Sequence, residues 1–290
     1  MNASLVVNPA AGGRAHRSIN RIETLLREQV SLTTFITRKK GDAFSFAKAV
    51  KGADRIIVAG GDGTINEVIN GLLSSDDETI KNVPLAIIPL GTANVLAAEV
   101  GIPRDLEKAA VLSINGTAKK IALGRMNGRY FSLMSGIGFD GETVFGVKNG
   151  LLKRLTGKGA YIAAGIRTLR KYPPALIRVK TSEGEFTGYT AVVSNVRCYG
   201  GDFHIAPRAS VTEPLLDICI FRGKTRKDLL RFIYGVMRKE HLGYHDVVYV
   251  KSPAAEVSSE GEVHVQVDGD YYGMLPVKIE VVKDAVGLVW

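Results

Sequence analysis

Cysteine is scarce in this chain: Cys198 and Cys219 are the two in 290 residues. Both sit in apolar, strand-like surroundings without a partner cluster, so they read as buried free thiols and exclude a disulfide framework or a zinc site. Long apolar runs are missing too. No stretch approaches the length that spans a bilayer, and Met1 to Val7 reaches the polar Asn8-Pro9 too soon for a signal-peptide core. The expected location is therefore cytoplasmic. Acidic residues are in deficit, 29 against 38 Lys and Arg, which leaves a net charge of +9 and points to anionic partners. Nucleotides, nucleic acids and acidic membrane surfaces all qualify. No zinc-finger spacing, aromatic RNA-binding strand or helix-turn-helix pattern occurs, so nucleic acid is not expected as a partner. With 46% hydrophobic and 23% charged residues, the chain is not disordered and is long enough for two cored domains.

What the sequence does contain is a strand, a glycine turn and a helix in one run, Arg55 to Leu72. Arg55 to Ala59 is a β-branched stretch without polar alternation, as in a strand buried on both faces of a parallel sheet. Gly60, Gly61 and Gly63 interrupt it. Ile65, Val68, Ile69 and Leu72 then fall at helical spacing, with Thr64 expected as N-cap. Glycines at a helix N-terminus expose main-chain N–H groups and let a phosphate approach. Asp62 in the same turn would repel a bare phosphate, which calls for a divalent cation between them and hence a metal-bound nucleotide. The alternative is an ordinary strand-to-helix turn with a solvated Asp. No Gly-Lys-Ser/Thr follows, so this is not a Walker motif.

Similar turns recur. Ser4 to Val7 reads as a strand ending in Asn8-Pro9-Ala10-Ala11-Gly12-Gly13 before a helix from Arg14 to Gln29. Val30 to Thr37 alternates as a strand, and Asp42 is expected to cap a helix that turns Ala43, Phe46, Ala47 and Val50 inward. Pro84 to Ile88 is another buried strand, followed by Gly91-Thr92-Ala93-Asn94. In an open α/β sheet the ligand lies outside the carboxyl ends of the strands, so these turns are expected to converge on one nucleotide. Gly91-Thr92 alone would read as a helix cap.

Beyond about Lys120 the pattern changes to short alternating strands: Tyr130 to Ser135, Leu176 to Thr181, Glu185 to Asn195, Leu216 to Phe221, Asp246 to Lys251 and Val263 to Asp268. Turns such as Glu183-Gly184 and Asp268-Gly269 separate them. The expected division is an α/β domain over 1–122, to which 277–290 return, and a β-rich domain over 123–276. Two basic stretches interrupt the second domain. Lys148 to Lys171 has no acidic residue, and Arg222 to His241 carries Leu229, Phe232, Ile233 and Val236 at helical spacing. Each fits either a basic amphipathic helix on an anionic bilayer or a core helix with a solvated basic face.

The motif set, taken together, resembles the soluble diacylglycerol kinase catalytic-domain and sphingosine kinase superfamily, in particular its bacterial lipid kinases. The resemblance rests on Val7 to Gly13 (VNPAAGG), Thr37 with Gly41-Asp42-Ala43, Gly60 to Gly71 (GGDGTINEVING) and Pro89 to Asn94 (PLGTAN). It continues through Gly136 to Glu142 (GIGFDGE), Gly200-Gly201, Leu215 to Phe221 (LLDICIF) and Val267 to Asp270 (VDGD). The GGDGT string is shared with NAD kinases and phosphofructokinases; the other motifs favour the lipid branch. The resemblance implies an α/β N-terminal domain of the NAD kinase, diacylglycerol kinase and phosphofructokinase type, with an all-β, sandwich-like C-terminal domain. It implies transfer of the γ-phosphoryl group of ATP, with Mg²⁺, to a lipid hydroxyl at the cytoplasmic membrane face. Carried onto this sequence, Asn8, Pro9, Ala10, Ala11, Gly12, Thr37, Gly60, Gly61, Asp62, Gly63, Thr64, Ile65, Asn66, Gly91 and Thr92 bind ATP, and Asp62 organises metal and phosphates. Asp268 is the general base and Asp270 the alternative base, since a positioned carboxylate accepts the alcohol proton as the oxygen attacks.

Departures from the family pattern also stand out. Ala122 occupies a position where the family commonly has Asp. The accessory Mg²⁺ loop reads Thr212-Glu213-Pro214, leaving Glu213 with the carbonyls of Ser210 and Leu215 as candidate ligands; Arg208 replaces a usual Asp. Expected partners are a lipid acceptor and an anionic membrane surface, with a homodimer left open. Two alternatives stay open: a kinase of a soluble acceptor, NAD kinase-like, and a nucleotide-binding membrane-associated regulator without turnover.

Overall fold

The computed structural model describes residues 1–11, 15–149, 165, 167–170, 173, 175–200 and 203–290. Gly12, and most of the basic stretch Lys148 to Lys171, lie outside the described residues. The chain forms two compact units, Met1–Leu123 with Lys283–Trp290, and Gly124–Val282.

The first unit alternates strands and helices: β1 (Asn2–Val7), α1 (Ala15–Arg27), β2 (Ser31–Ile36), α2 (Asp42–Ala49), β3 (Arg55–Gly60), α3 (Asp62–Leu73), α4 (Glu78–Lys81), β4 (Leu85–Pro89), α5 (Val95–Glu99), α6 (Leu106–Asn115) and β5 (Ala118–Met126). Four of its strands are parallel in the order β2-β1-β3-β4, an arrangement that brings their carboxyl ends to one edge. Ile56, Ile57, Val58 and Ala59 are fully buried, because helices cover both faces of a parallel sheet. At the far end of the chain, Leu288 pairs in parallel with Leu85 of β4.

The second unit holds β6 (Arg129–Phe131), β7 (Met134–Ile137), α7 (Phe139–Asn149), β8 (Ile177–Thr181), β9 (Gly184–Gly188), β10 (Thr190–Ser194), β11 (Cys198–Gly200), β12 (Phe203–His204), β13 (Leu216–Phe221), α8 (Arg226–Arg238), β14 (Val247–Ser252), β15 (Ala254–Ser259), β16 (His264–Val267), β17 (Asp270–Met274) and the start of β18 (Val277–Val289), whose residues from Lys283 belong to the first unit. One antiparallel sheet runs β14-β13-β10-β7-β16-β17, and β18-β15-β8-β9 are antiparallel neighbours in a second. Ile137, Ile218 and Val265 of the first pack with Ile177, Val257 and Ile279 of the second in one core, the construction of a sandwich.

Several local expectations change. Helix α3 begins at Asp62 with Gly61 as N-cap, and Thr64 lies buried inside its first turn. Gly41, at φ 92°, caps α2, while the carboxylate of Asp42 accepts the Arg38 and Lys39 N–H groups. Tyr130 to Ser135 is broken by Ser132 and Leu133. Glu185 to Asn195 is broken at Tyr189, whose N–H turns to the Phe221 carbonyl at 2.8 Å. Cys219 is buried as expected, but Cys198 is half-exposed, with Sγ 3.8 Å from the His204 ring nitrogens.

Candidate active site

In the first unit, three turns gather at the carboxyl edge of the sheet. The Asn8 N–H donates to the Ala59 carbonyl at 3.0 Å and Leu90 N–H to the Gly60 carbonyl at 2.9 Å, which ties the ends of β1, β3 and β4 together. Asn8 Nδ2 donates to Thr64 Oγ1 at 2.9 Å, and Asn8 Oδ1 accepts the Ala10 N–H at 3.0 Å, folding Pro9 and Ala10 back over the strand end. Thr37 N–H donates to Val7 O at 2.8 Å, placing Thr37 beside β1 at the same edge. Gly61 and Gly91 touch through their main chains: a Cβ on Gly91 would lie 2.6 Å from Gly61 Cα and 2.7 Å from Asn94 Oδ1. Gly63 differs, since a Cβ there would meet nothing within 4 Å. Ile65 is fully buried and offers this edge only its main chain, and Asn66 is buried in an i, i+4 pair with Asn70. Thr92 is exposed.

These features fit a nucleotide phosphate. The first turn of α3 carries no side-chain cap, so its N–H groups and dipole face the edge where the glycines leave room. Asp62 is occupied differently from the expectation. Its Oδ1 accepts the Leu96 N–H at 3.2 Å, so the carboxylate sits against the start of α5 as well as at the start of α3. Burial pushes its carboxyl above the ordinary Asp value, while main-chain N–H groups at Val95 and Leu96 pull the other way. No cluster of three His, Cys, Asp or Glu occurs among the described residues. A divalent cation here would therefore be held largely by the nucleotide, with at most Asp62 from this turn.

In the second unit, Asp268 and Gly269 have φ 48° and 81°, the left-handed pair of a two-residue hairpin joining β16 to β17. The Asp268 carboxylate accepts four hydrogen bonds from the loop between β6 and β7: Ser132 N at 2.9 Å, Ser132 Oγ at 3.2 Å, Leu133 N at 3.0 Å and Met134 N at 2.9 Å. Four donors use the lone pairs of both oxygens and hold the group in one place. Proton acceptance by Asp268 would require at least one donor to let go. Asp270 instead pairs with Arg129 at 3.2 Å, both side chains part-exposed.

The structure adds residues to this corner that carried no role in the sequence reading. Asp140, in the first turn of α7, accepts hydrogen bonds from Tyr199 Oη and from Gln266 Nε2, the latter at 2.6 Å. Gln266 Oε1 in turn accepts the Gly269 N–H at 2.8 Å, so Asp140 is connected to the Asp268-Gly269 turn through one side chain. Desolvation pushes the Asp140 carboxyl up, opposed by its two donors. The signal in the sequence was the pair Gly136 and Gly141: a Cβ on Gly136 would strike the Asp140 carboxylate and one on Gly141 the His264 carbonyl.

The candidate accessory metal ligands do not fit a cation. Glu213 Oε2 receives Lys251 Nζ at 2.6 Å, and the same ammonium lies 3.8 Å from the buried Asp217. Ser210 Oγ is paired with Thr212 Oγ1 at 2.9 Å, and Ser210 O accepts the Glu213 N–H at 3.1 Å. Leu215 sits next to Pro214 in the same loop. An ammonium already stands beside the carboxylate, and no step is derived through a metal there.

A diacylglycerol kinase catalytic-domain model matches residues 2–126, and the model of the YegS C-terminal NAD kinase beta sandwich-like domain matches 136–290. A diacylglycerol kinase of Bacillus subtilis is 32% identical over 283 residues, covering 94% of this chain and 91% of that protein. A diacylglycerol kinase of Staphylococcus carnosus is 28% identical over 280 residues, covering 94% and 90%. A crystal structure of a diacylglycerol kinase from Bacillus anthracis aligns with TM-score 0.76 at 23% identity, over 100% of this chain and 96% of that one, which shows the shared fold. The chain belongs to the diacylglycerol kinase family, and it is a kinase of that family.

Proposed function

We propose that the protein transfers the γ-phosphoryl group of ATP to the hydroxyl of a diacylglycerol-like lipid at the cytoplasmic face of a membrane. The observation that carries this reading is the meeting of three turns, at Asn8, Gly60 to Thr64 and Gly91-Thr92, on the uncapped N-terminus of α3. Names of relatives supply the acceptor class, and the net charge of +9 supports an anionic surface.

In this mechanism the main-chain N–H groups of Gly61 to Gly63 and the side chains of Asn8 and Thr37 bind and orient the phosphates. Mg²⁺, when bound with the nucleotide, would supply charge neutralisation, and Asp62 would be the carboxylate of this turn to hold it. Asp268 takes the proton from the lipid hydroxyl as that oxygen bonds to the γ-phosphorus and the bond from phosphorus to the β-phosphate oxygen breaks, releasing ADP, and Asp140 with Gln266 fixes the turn from which Asp268 acts.

The test is incubation of purified protein with γ-labelled ATP, Mg²⁺ and a lipid panel in anionic mixed micelles. Labelled lipid is expected from diacylglycerol. Labelled product from a soluble acceptor alone, or ATP binding with no product from any acceptor, would overturn the reading in favour of the soluble-substrate kinase or the regulator.

A further inference from the structure

Helix α8 is amphipathic, and its two apolar rows have different fates. Leu229, Phe232 and Val236 are buried, with Phe232 stacked on Phe221 at 4.5 Å between ring centres. The core row thus contains most of the residues that the sequence offered as a membrane face. A second row points outward: Leu230, Tyr234 and Met237 are 51%, 56% and 54% exposed. Their i, i+4, i+7 spacing puts them on one face. Ten large apolar side chains are exposed among the described residues, and three of them stand in this row.

The surroundings of the row are cationic. From Arg222 to Glu240 there are seven basic residues and two acidic, Asp228 and Glu240. Asp228 is consumed in the capping box with Thr225 at the helix start. Lys227 and Arg238 flank the outward row by helical position, and both are exposed; Arg238 also donates from Nε to Glu240 Oε1 at 3.1 Å, an exposed pair that lipid phosphate can compete with. Arg231 is turned away to Asp246 at 2.5 Å.

We propose that the Leu230-Tyr234-Met237 face of α8 docks the protein on an anionic bilayer, with the apolar row in the headgroup and acyl boundary and the flanking cations on lipid phosphates. The proposal deepens the lipid kinase reading and rests on it for the membrane as partner. Charge decides between a bilayer and a second copy of this chain. A two-fold pairing through this face would set Lys227 and Arg238 against their own images, whereas an anionic surface complements them. Large apolar side chains with an aromatic polar tip and flanking Lys and Arg are the composition that lies in a bilayer interface.

The experiment compares the full chain with a Leu230→Ser/Tyr234→Ser/Met237→Ser variant and a Lys227→Glu/Arg238→Glu variant. Sedimentation with phosphatidylcholine vesicles, with and without phosphatidylglycerol, reads binding, and turnover of a water-soluble short-chain diacylglycerol without vesicles reads the kinase separately. The wild type is expected to prefer anionic vesicles, with partitioning falling about tenfold or more in each variant and short-chain turnover unchanged. Adding salt is expected to weaken the wild type more than the charge-reversal variant. Unchanged partitioning in both variants overturns the proposal, as does a wild type that ignores phosphatidylglycerol. Loss of a concentration-dependent dimer in the triple variant also overturns it, in favour of a second copy covering the face. Absence of short-chain turnover in the wild type strikes the kinase reading, while the vesicle result still decides the docking face.

Discussion

Replacing Gly91 by Ala tests the geometry of the nucleotide turns, and Gly63→Ala is its counterpart. At Gly91 the new methyl carbon would lie 2.6 Å from Gly61 Cα and 2.7 Å from Asn94 Oδ1. Carbon atoms rest at about 3.5–4.0 Å, so the two turns must separate by about 1 Å. Overpacking of this kind costs about 1–3 kcal/mol, which lowers Tm by about 2–12 °C in a chain of this size. Misplacement of phosphate donors by the same distance should weaken ATP binding by about tenfold to a hundredfold. At Gly63 the methyl meets nothing, and the position is inside α3, so Ala should add about 0.5–1 kcal/mol of helix stability. If phosphate approaches this main chain, however, the methyl stands in its way and ATP affinity falls despite the higher Tm. Isothermal titration with ATP and a thermal melt on both variants give the answer. An unchanged Gly91→Ala protein would refute the close packing of the turns, and full ATP affinity in Gly63→Ala would refute phosphate binding there.

Three more outcomes follow from the same structure. Asp268→Asn can offer one acceptor oxygen to donors that now share two, so it should lose about 1.5–3 kcal/mol of stability together with a hundredfold or greater fall in kcat, whereas Asp270→Asn breaks a part-exposed pair and should change stability by less than about 1 kcal/mol. The Asp140 carboxyl is raised by burial, so between its unfolded and folded pKa the folded chain binds more protons than the unfolded one; stability from this group is fully present below the unfolded pKa and is lost as pH rises through the folded pKa. Chemical denaturation of wild type and Asp140→Asn across pH should give a difference curve with that decline, and a flat difference would contradict the assignment. Lys251→Met leaves Asp217, 1% exposed, without its ammonium, and should cost about 2 kcal/mol by melting, with no recovery on adding Mg²⁺.

Much of the fold was legible because it is written in local pattern. The unbroken apolar run Ile56 to Ala59 has room only in a doubly covered strand, and Asp268-Gly269 demands positive φ at both hairpin residues. The misreadings come from contacts distant in sequence. Thr64 looks like a cap until Asn8, 56 residues earlier, claims its hydroxyl, and the hydrogen bond that Leu96, 34 residues later, donates to Asp62 has no local signal. The anchoring of Asp268 by Ser132 to Met134 spans up to 136 residues and has no periodic signature. Helix α8 carries two apolar rows at the same helical spacing, and only packing against Phe221 and His241 decides which one faces inward.

The most direct test of the central claim separates nucleotide binding from transfer in one variant. Asp268→Asn, shown folded by its melting curve, is titrated with ATP and then assayed with γ-labelled ATP, Mg²⁺ and diacylglycerol in anionic micelles beside the wild type. The account predicts ATP affinity within about threefold of wild type with labelled lipid reduced a hundredfold or more. Labelled lipid formed at the wild-type rate by Asp268→Asn would contradict it.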